Sequence, residues 1–472
     1  MTCLPVVCPR PVALVVMVAV GVFASASVGC SGPDYEGATV YVDANKGNDG
    51  NDGLAPTEAF RTITRAAELV SGGGQIVIAE GEYSGATGER FPLVIRSKVA
   101  VVRGAGAGRT VIVDEVGASS SVLESFGSKE LSAFTLERRG DSPCPDCAAL
   151  SLDGRVVLSQ DGRSDEPRRS VSVADVALVS SQPLSWALRA DDGNHRVMQT
   201  ELRNVVIDGK GKARGMGFSR LDAVSVNGAS VTAVVTPALY VSEVAAFSGS
   251  ALMLSGTSVG RGLDSGGLTA SLVEIAPATG GSVTSAARVA DSTLTMVLAG
   301  EHSNEFGMAL RARTAVLVER TLIDMAGTAK GRGVVGQGPL ELRALTVVGA
   351  EVGVGAAAGL LMRDSVFRTQ SRAAVVLTSK AGVSHDLGTE ADPGRNRFSL
   401  ANDANADVVV SRDSADPSAG PDVTAFGNTW SMNRAFCTSS TDWPRVEAGK
   451  FQVIVVPRAG AVVRDGAERC SP

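Results

Sequence analysis

Aromatic residues are scarce in this chain, at 4% of 472 residues, although 44% are hydrophobic. Its core therefore has to be built from Val, Leu, Ile and Ala, small branched side chains that suit short strands stacked in rows. Histidine is scarcer still. His195, His302 and His385 are the only three, and none has a metal-type neighbour at short spacing, so each reads as a turn or surface residue. An excess of basic charge is also missing: the formal net charge is −6, which argues against nucleic acid or an anionic membrane surface as the main partner. What the chain does have is punctuation, with 54 glycines and 19 prolines marking many turns. A length of 472 residues allows two or three ordinary domains or one continuous solenoid.

The first thirty residues read as a targeting segment. Arg10 is the only charge before the apolar run Val12 to Phe23, which small residues and then Cys30 follow. That run is too short for a membrane span and fits a secretory signal peptide over 1–29. Ser27-Val28-Gly29-Cys30 resembles a bacterial lipobox, departing from it at Ser27, where Leu is usual. The resemblance implies lipidation of Cys30, a tether over 30–38, and a place in the cell envelope at the outer membrane or cell surface. Cys3 and Cys8 leave with the leader, so four cysteines remain: Cys144, Cys147, Cys437 and Cys470. An even number in an oxidising compartment is expected to pair. Of three connectivities the local one joins Cys144 to Cys147 and Cys437 to Cys470. Zinc at Cys144-Pro-Asp-Cys147 is the rival, but it lacks a second close pair.

The mature chain is organised by its N-terminal module, residues 39–113. Phe60, Ile63, Ala66, Ala67 and Val70 recur at helical spacing, with Thr57 or Thr62 as cap and three glycines from Gly72 as the stop. Short strands follow at Gln75–Ala79, Leu93–Ile95, Val99–Val102 and Val111–Val113. A coil of such strands has an open apolar end, and the helix is placed to cap it.

These residues carry a resemblance. The segments Gly47–Gly53, Phe60–Ala66, Ile76–Tyr83, Phe91–Ile95 and Val101–Gly104 are similar to the bacterial family called domain of unknown function 1565. Asp386–Thr389, Pro393–Phe398 and Phe426–Trp430 resemble its distal end. The resemblance implies a pectin-lyase-like, right-handed parallel β-helix and no particular activity.

Between these brackets, over 114–430, a short motif recurs: Leu202–Asp208, Val289–Thr295, Val318–Asp324, Leu342–Val348 and Met362–Arg368. Spacings of roughly 18 to 29 residues without a fixed period suit a large-coil β-helix, in which insertions lengthen turns without disturbing the stack. The rival is a sandwich with strands every 8–12 residues or so. Residues 431–472 lose the pattern and are read as a distal cap.

Several strings invite a chemical reading. Gly256–Gly260 fits G-x-S-x-G, with Asp264 and His302 in hydrolase order, but no helical period follows it. Gly331–Gly336 fits G-x-G-x-x-G, but Pro339 stands where a helix has to begin. Asp43, Asp49 and Asp52 gather oxygens for a calcium ion, yet Leu54 stands where an EF-hand needs Glu, and local turn bonds explain the cluster better. No other cofactor is indicated. Arg320, Arg343 and Arg363 occupy equivalent places in successive motifs, with Glu319, Glu341, Asp324 and Asp364 close by, and in a coil they are expected to stack as a charged ladder on one outer face. Polysaccharide lyases on this fold use a basic residue as base and cations to neutralise a uronate. Neither the polygalacturonase carboxylate set nor the pectate-lyase Arg-x-Pro-x-x-Arg occurs, so the arginines read first as charges that keep an outer face soluble. The sequence thus favours a binding or structural role, with polysaccharide as the candidate partner. Its alternative is a lyase or hydrolase acting on an acidic polysaccharide.

Overall fold

A computed structural model of the chain describes residues 35–429 apart from 97, 118–119, 155–168, 194–197, 259–270, 278–285, 299–306, 326–330, 380–382, 400–405, 413–421 and 426. The leader, Cys30, Cys437, Cys470 and the 431–472 cap lie outside the described residues, as do His195, His302 and Asp264.

The fold is the expected right-handed parallel β-helix. Among the described residues three sheets carry 14, 12 and 12 strands, and every strand pairs with its counterpart one coil away. The first sheet runs from Thr39–Val42 to Asp422–Thr424, the second from Gly81–Ser84 to Arg397–Ser399, and the third from Leu93–Arg96 to Ala406–Arg412. Each coil visits them in that order.

Stacking in register makes rows. Leu202, Val226, Gly249, Val289, Val318, Leu342 and Met362 form one inward row, each opposite the next. The row is buried throughout, and aliphatic residues fill nearly all of it. Stacked Val and Leu side chains each contribute about 1.5–3 kcal/mol by leaving water, which is how the fold manages with so few rings. Two of the rings it does have, Phe367 and Phe398, stack inside at 5.4 Å.

The recurring motif is a corner. Each copy ends a first-sheet strand, turns, and starts a second-sheet strand, and from Ser132/Thr135 to Arg363/Val366 the connection is always two residues. The first of those two has positive φ in nearly every coil: Asn204 +52°, Asp291 +50°, Arg320 +45°, Ala344 +49°, Asp364 +54°. Asn and Asp tolerate that left-handed conformation best among non-glycine residues. Its N–H donates to the next coil, as Arg320 does to the Arg343 carbonyl at 2.9 Å and Ala344 to that of Arg363 at 2.9 Å. The other connections vary. Those from third to first sheet run from two residues, between Arg96 and Val99, to fifteen, between Asp153 and Arg169.

The helix occupies Ile63–Leu69, three residues later than its apolar spacing suggests. Phe60 instead extends the first coil, bridging to Val42. The Asp49 carboxylate accepts from the Arg61 and Thr62 N–H groups at 2.9 Å each, holding the approach extended. Thr62 is the cap, its hydroxyl accepting from the Arg65 N–H at 3.1 Å. Buried Glu89 accepts from the Ile63 and Thr64 N–H groups, a carboxylate set against free helix donors. Ile63, Ala66 and Ala67 face inward over the first coil, the lid the sequence implied.

Candidate functional site

A groove runs across the first sheet, and its residues come from nine successive coils, from Ser170 to Asp386. Eight steps of about 4.8 Å give it a length of about 38 Å. Its volume is about 1020 Å³. Two outward rows shape it. One is small after its first member: Gln199 is followed in register by Ala223 and Ala246, and Ala315 and Gly359 line the same trough further along. The other is Glu201, Ser225, Ser248, Arg288, Leu317, Glu341, Leu361 and Asp386, each opposite the next. A trough appears along the short side chains of the first row, widest at Ser225 and Ser248, where both rows are short, and bounded further along by Arg288, Leu317, Glu341 and Leu361. Toward its C-terminal end the longer row alternates apolar and acidic, with a repeat of two coils, about 9.6 Å.

Each carboxylate of the longer row has an arginine beside it. Glu201 lies 3.5 Å from Arg203, Glu341 2.6 Å from Arg343, and Asp386 2.8 Å from Arg363. Arg288 is salt-bridged to Glu319. Burial pushes the Asp386 carboxyl up, but the Arg363 guanidinium, the Gly388 N–H and the Thr424 hydroxyl outweigh it and hold the group below the usual carboxylate range. A general acid needs the opposite shift.

The three candidate arginines do not converge. Arg343 and Arg363 face each other in register, whereas Arg320 is one residue further on, at the corner, and its neighbour Glu319 is the residue opposite Arg343. Arg320 clasps Asp291 with two nitrogens, at 2.6 and 2.9 Å, and reaches Glu319 at 2.7 Å. Arg363 is only 5% exposed and binds Asp386 and Asp392 at 2.8 and 2.7 Å. It is a clamp between coils.

Asp43 accepts from the Asn45 and Lys46 N–H groups and Asp52 from that of Leu54, while Asp49 holds the helix approach, so each of the three carboxylates is turned to the backbone. Among the described residues no three potential ligands gather as a metal site. Cys144 and Cys147 are joined as a disulfide, with Cα atoms 5.3 Å apart, which leaves no thiolate pair for zinc. Gly256, Thr257 and Ser258 lie in the strand Met253–Ser258, and Val259 and Gly260, which complete the motif, lie outside the described residues. Arg332–Gly336 is likewise a strand. His385 corrects its reading as a turn or surface residue. It is fully buried, and neither ring nitrogen has a hydrogen-bond partner among the described residues. Burial lowers its pKa to about 4. The sequence offered no sign of this, since inward position is set by register with Leu360 one coil before.

Residues 45–136 match the family model described as protein of unknown function (DUF1565). The match covers most of the N-terminal module and continues past it, and the distal segment at 385–430 lies outside it. No curated protein sequence matches the chain. Among solved structures, a GH136 lacto-N-biosidase from Eubacterium ramulus is similar at 11% identity, covering 83% of this chain and 68% of its own, with a TM-score of 0.36. A pectin methylesterase variant in complex with a hexasaccharide has 13% identity, coverages of 60% and 78%, and a TM-score of 0.31. A rhamnogalacturonan lyase has 9% identity, coverages of 79% and 90%, and a TM-score of 0.31.

Proposed function

We propose that this chain is a cell-envelope protein that binds one extended strand of a neutral glycan along the groove of the first sheet. The observation that carries the reading is the shape of the groove. The groove spreads a volume of about 1020 Å³ over nine coils, about 38 Å, a long and narrow form that suits an extended chain better than a compact ligand. A peptide that binds by adding a strand needs an open sheet edge, and this groove crosses strands whose backbone groups are already paired. Its lining suits a sugar polymer instead. Gln199, Glu201, Ser225, Ser248 and Glu341 offer donors and acceptors to hydroxyls, and Leu317 and Leu361 offer apolar surface to C–H faces. An acidic polymer meets Glu201, Glu341 and Asp386 there, while the nearby arginines are already engaged. The lyase or hydrolase reading has Glu341 and Asp386, about 9.6 Å apart along the groove, as its carboxylates. An arginine holds each of them, however, and Asp386 sits below the usual carboxylate range, opposite to a general acid. The leader and Cys30 support export and a lipid anchor in the cell envelope.

The test is retention of the purified full chain on immobilised neutral polysaccharides and on uronate polymers, with Ser248→Trp as a variant that fills the trough. Binding to a neutral glycan, weakened at least tenfold by the variant and without release of reducing ends or unsaturated products, is expected. Binding to uronates alone, or equal binding by the variant, sinks the reading.

A further inference from the structure

Four of the six large apolar side chains that stand exposed among the described residues lie on the outer face of the second sheet: Val206, Met253, Val297 and Leu322. Three of them belong to one row. Val206 is opposite Ser230, Ser230 opposite Met253, and Met253 opposite Thr293. Thr293 is opposite Leu322, Leu322 opposite Thr346, and Thr346 opposite Val366. The row is thus apolar on every second coil, with a hydroxyl between, over six steps or about 29 Å. Val206 is 52% exposed, Met253 60% and Leu322 37%. Large apolar side chains exposed at regular intervals along one sheet face mark a face that something covers.

The order of the row says what covers it. It reads the same from either end about Thr293. A second copy laid face to face with its helix axis reversed, related by a two-fold axis along the strand direction at Thr293, sets Met253 against Leu322, Ser230 against Thr346, and Val206 against Val366. Apolar meets apolar and hydroxyl meets hydroxyl over these seven coils, and at the next coil Ala177 meets Arg397. The same operation brings the flanking charges into opposition. Asp208 and Arg368 lie two residues beyond Val206 and Val366 in the same strands, so each faces the other across the axis. Arg368 is exposed and has no side-chain partner among the described residues, while Asp208 accepts from the Lys210 ammonium at 2.5 Å with one oxygen and from the Lys210 N–H at 2.9 Å with the other, each oxygen having a further lone pair. On the other flank Asp175 and Arg395, at the corners before Ala177 and Arg397, come opposite each other, with Arg395 already clasping Asp364 at 2.6 and 2.9 Å within its own chain. Isologous contacts require this self-complementarity, residue i meeting j while j meets i.

We infer that the outer face of the second sheet is the interface of an antiparallel, two-fold homodimer centred on Thr293. It is separate from the groove on the first sheet and does not depend on what that groove binds.

The test uses the purified full chain. Sedimentation equilibrium is expected to give a concentration-dependent dimer, shifted to monomer by Met253→Asp. Arg368→Asp is expected to weaken association at least tenfold, and Asp208→Arg combined with it to restore association. On oxidation Thr293→Cys is expected to form a covalent dimer faster than either Thr346→Cys or the unaltered chain, because only a residue on the axis meets itself. A chain that stays monomeric at every concentration, a charge swap without rescue, or cross-linking at Thr346 as fast as at Thr293 overturns the inference. So does a monomeric chain whose binding to a polysaccharide is lost in Met253→Asp, which assigns the face to a glycan.

Discussion

His385 stands in register with Leu360 one coil before it, an imidazole stacked on an aliphatic row and wholly enclosed. Burial holds its pKa at about 4, below the usual 6.5. The folded chain therefore keeps this ring neutral at pH values where the unfolded chain binds a proton. Stability is fully present above pH 6.5 and is lost as pH falls toward 4, by on the order of 3 kcal/mol in total. His385→Leu is expected to flatten this part of the pH profile of thermal unfolding. An unchanged slope in the variant means the acid sensitivity lies elsewhere.

Arg363 and Arg343 face each other yet differ in what they hold. Arg363→Ala removes the cation from between Asp386 and Asp392 in a nearly buried position and is expected to cost about 3 kcal/mol. Arg343→Ala breaks a pair in which the arginine is 55% exposed and is expected to change stability by less than about 1 kcal/mol. Chemical denaturation of the two variants side by side reads the difference. Equal losses contradict the clamp assigned to Arg363.

Ala344 carries a φ of +49° with no side-chain group to compensate it. Ala344→Asn is expected to raise stability by up to about 1 kcal/mol, since Asn reaches the left-handed region at lower cost. A fall in the denaturation midpoint means that the exposed corner is not where that strain resides.

Cys30→Ala tests the anchor. The variant is expected in the soluble fraction after cell lysis or in the medium, with the parent in the membrane fraction. Membrane association that survives the substitution rules out lipidation at that residue.

Much of the architecture was legible because local chemistry and global form coincide at one place, the corner. Leu202–Asp208 and its copies stand out in the sequence because they hold an inward aliphatic, a residue able to take positive φ, and a second inward aliphatic three residues on. The lid was legible from its apolar stripe, although its start was not, because Asp49 holds Arg61 and Thr62 in an extended approach from twelve residues away. The groove was not legible at all. Ala223 and Ala246 are unremarkable alanines until register sets them in one row beside Ser225 and Ser248. Arg320 misled for the same reason. A displacement of one residue moves it from the sheet face, where Arg343 and Arg363 lie, to the corner, where it clasps Asp291.

The constant two-residue corner beside connections of two to fifteen residues has an evolutionary consequence. It works as a datum line, since every coil is measured from the same hydrogen-bonded edge, and length added elsewhere is absorbed before the next coil begins. Insertions between third and first sheets come out beside the groove and leave the stacking phase untouched. Specificity can thus diverge by lengthening and shortening those connections while the frame stays fixed, and grafted segments at Asp153/Arg169 should be tolerated where the same graft at Arg343/Thr346 unfolds the chain.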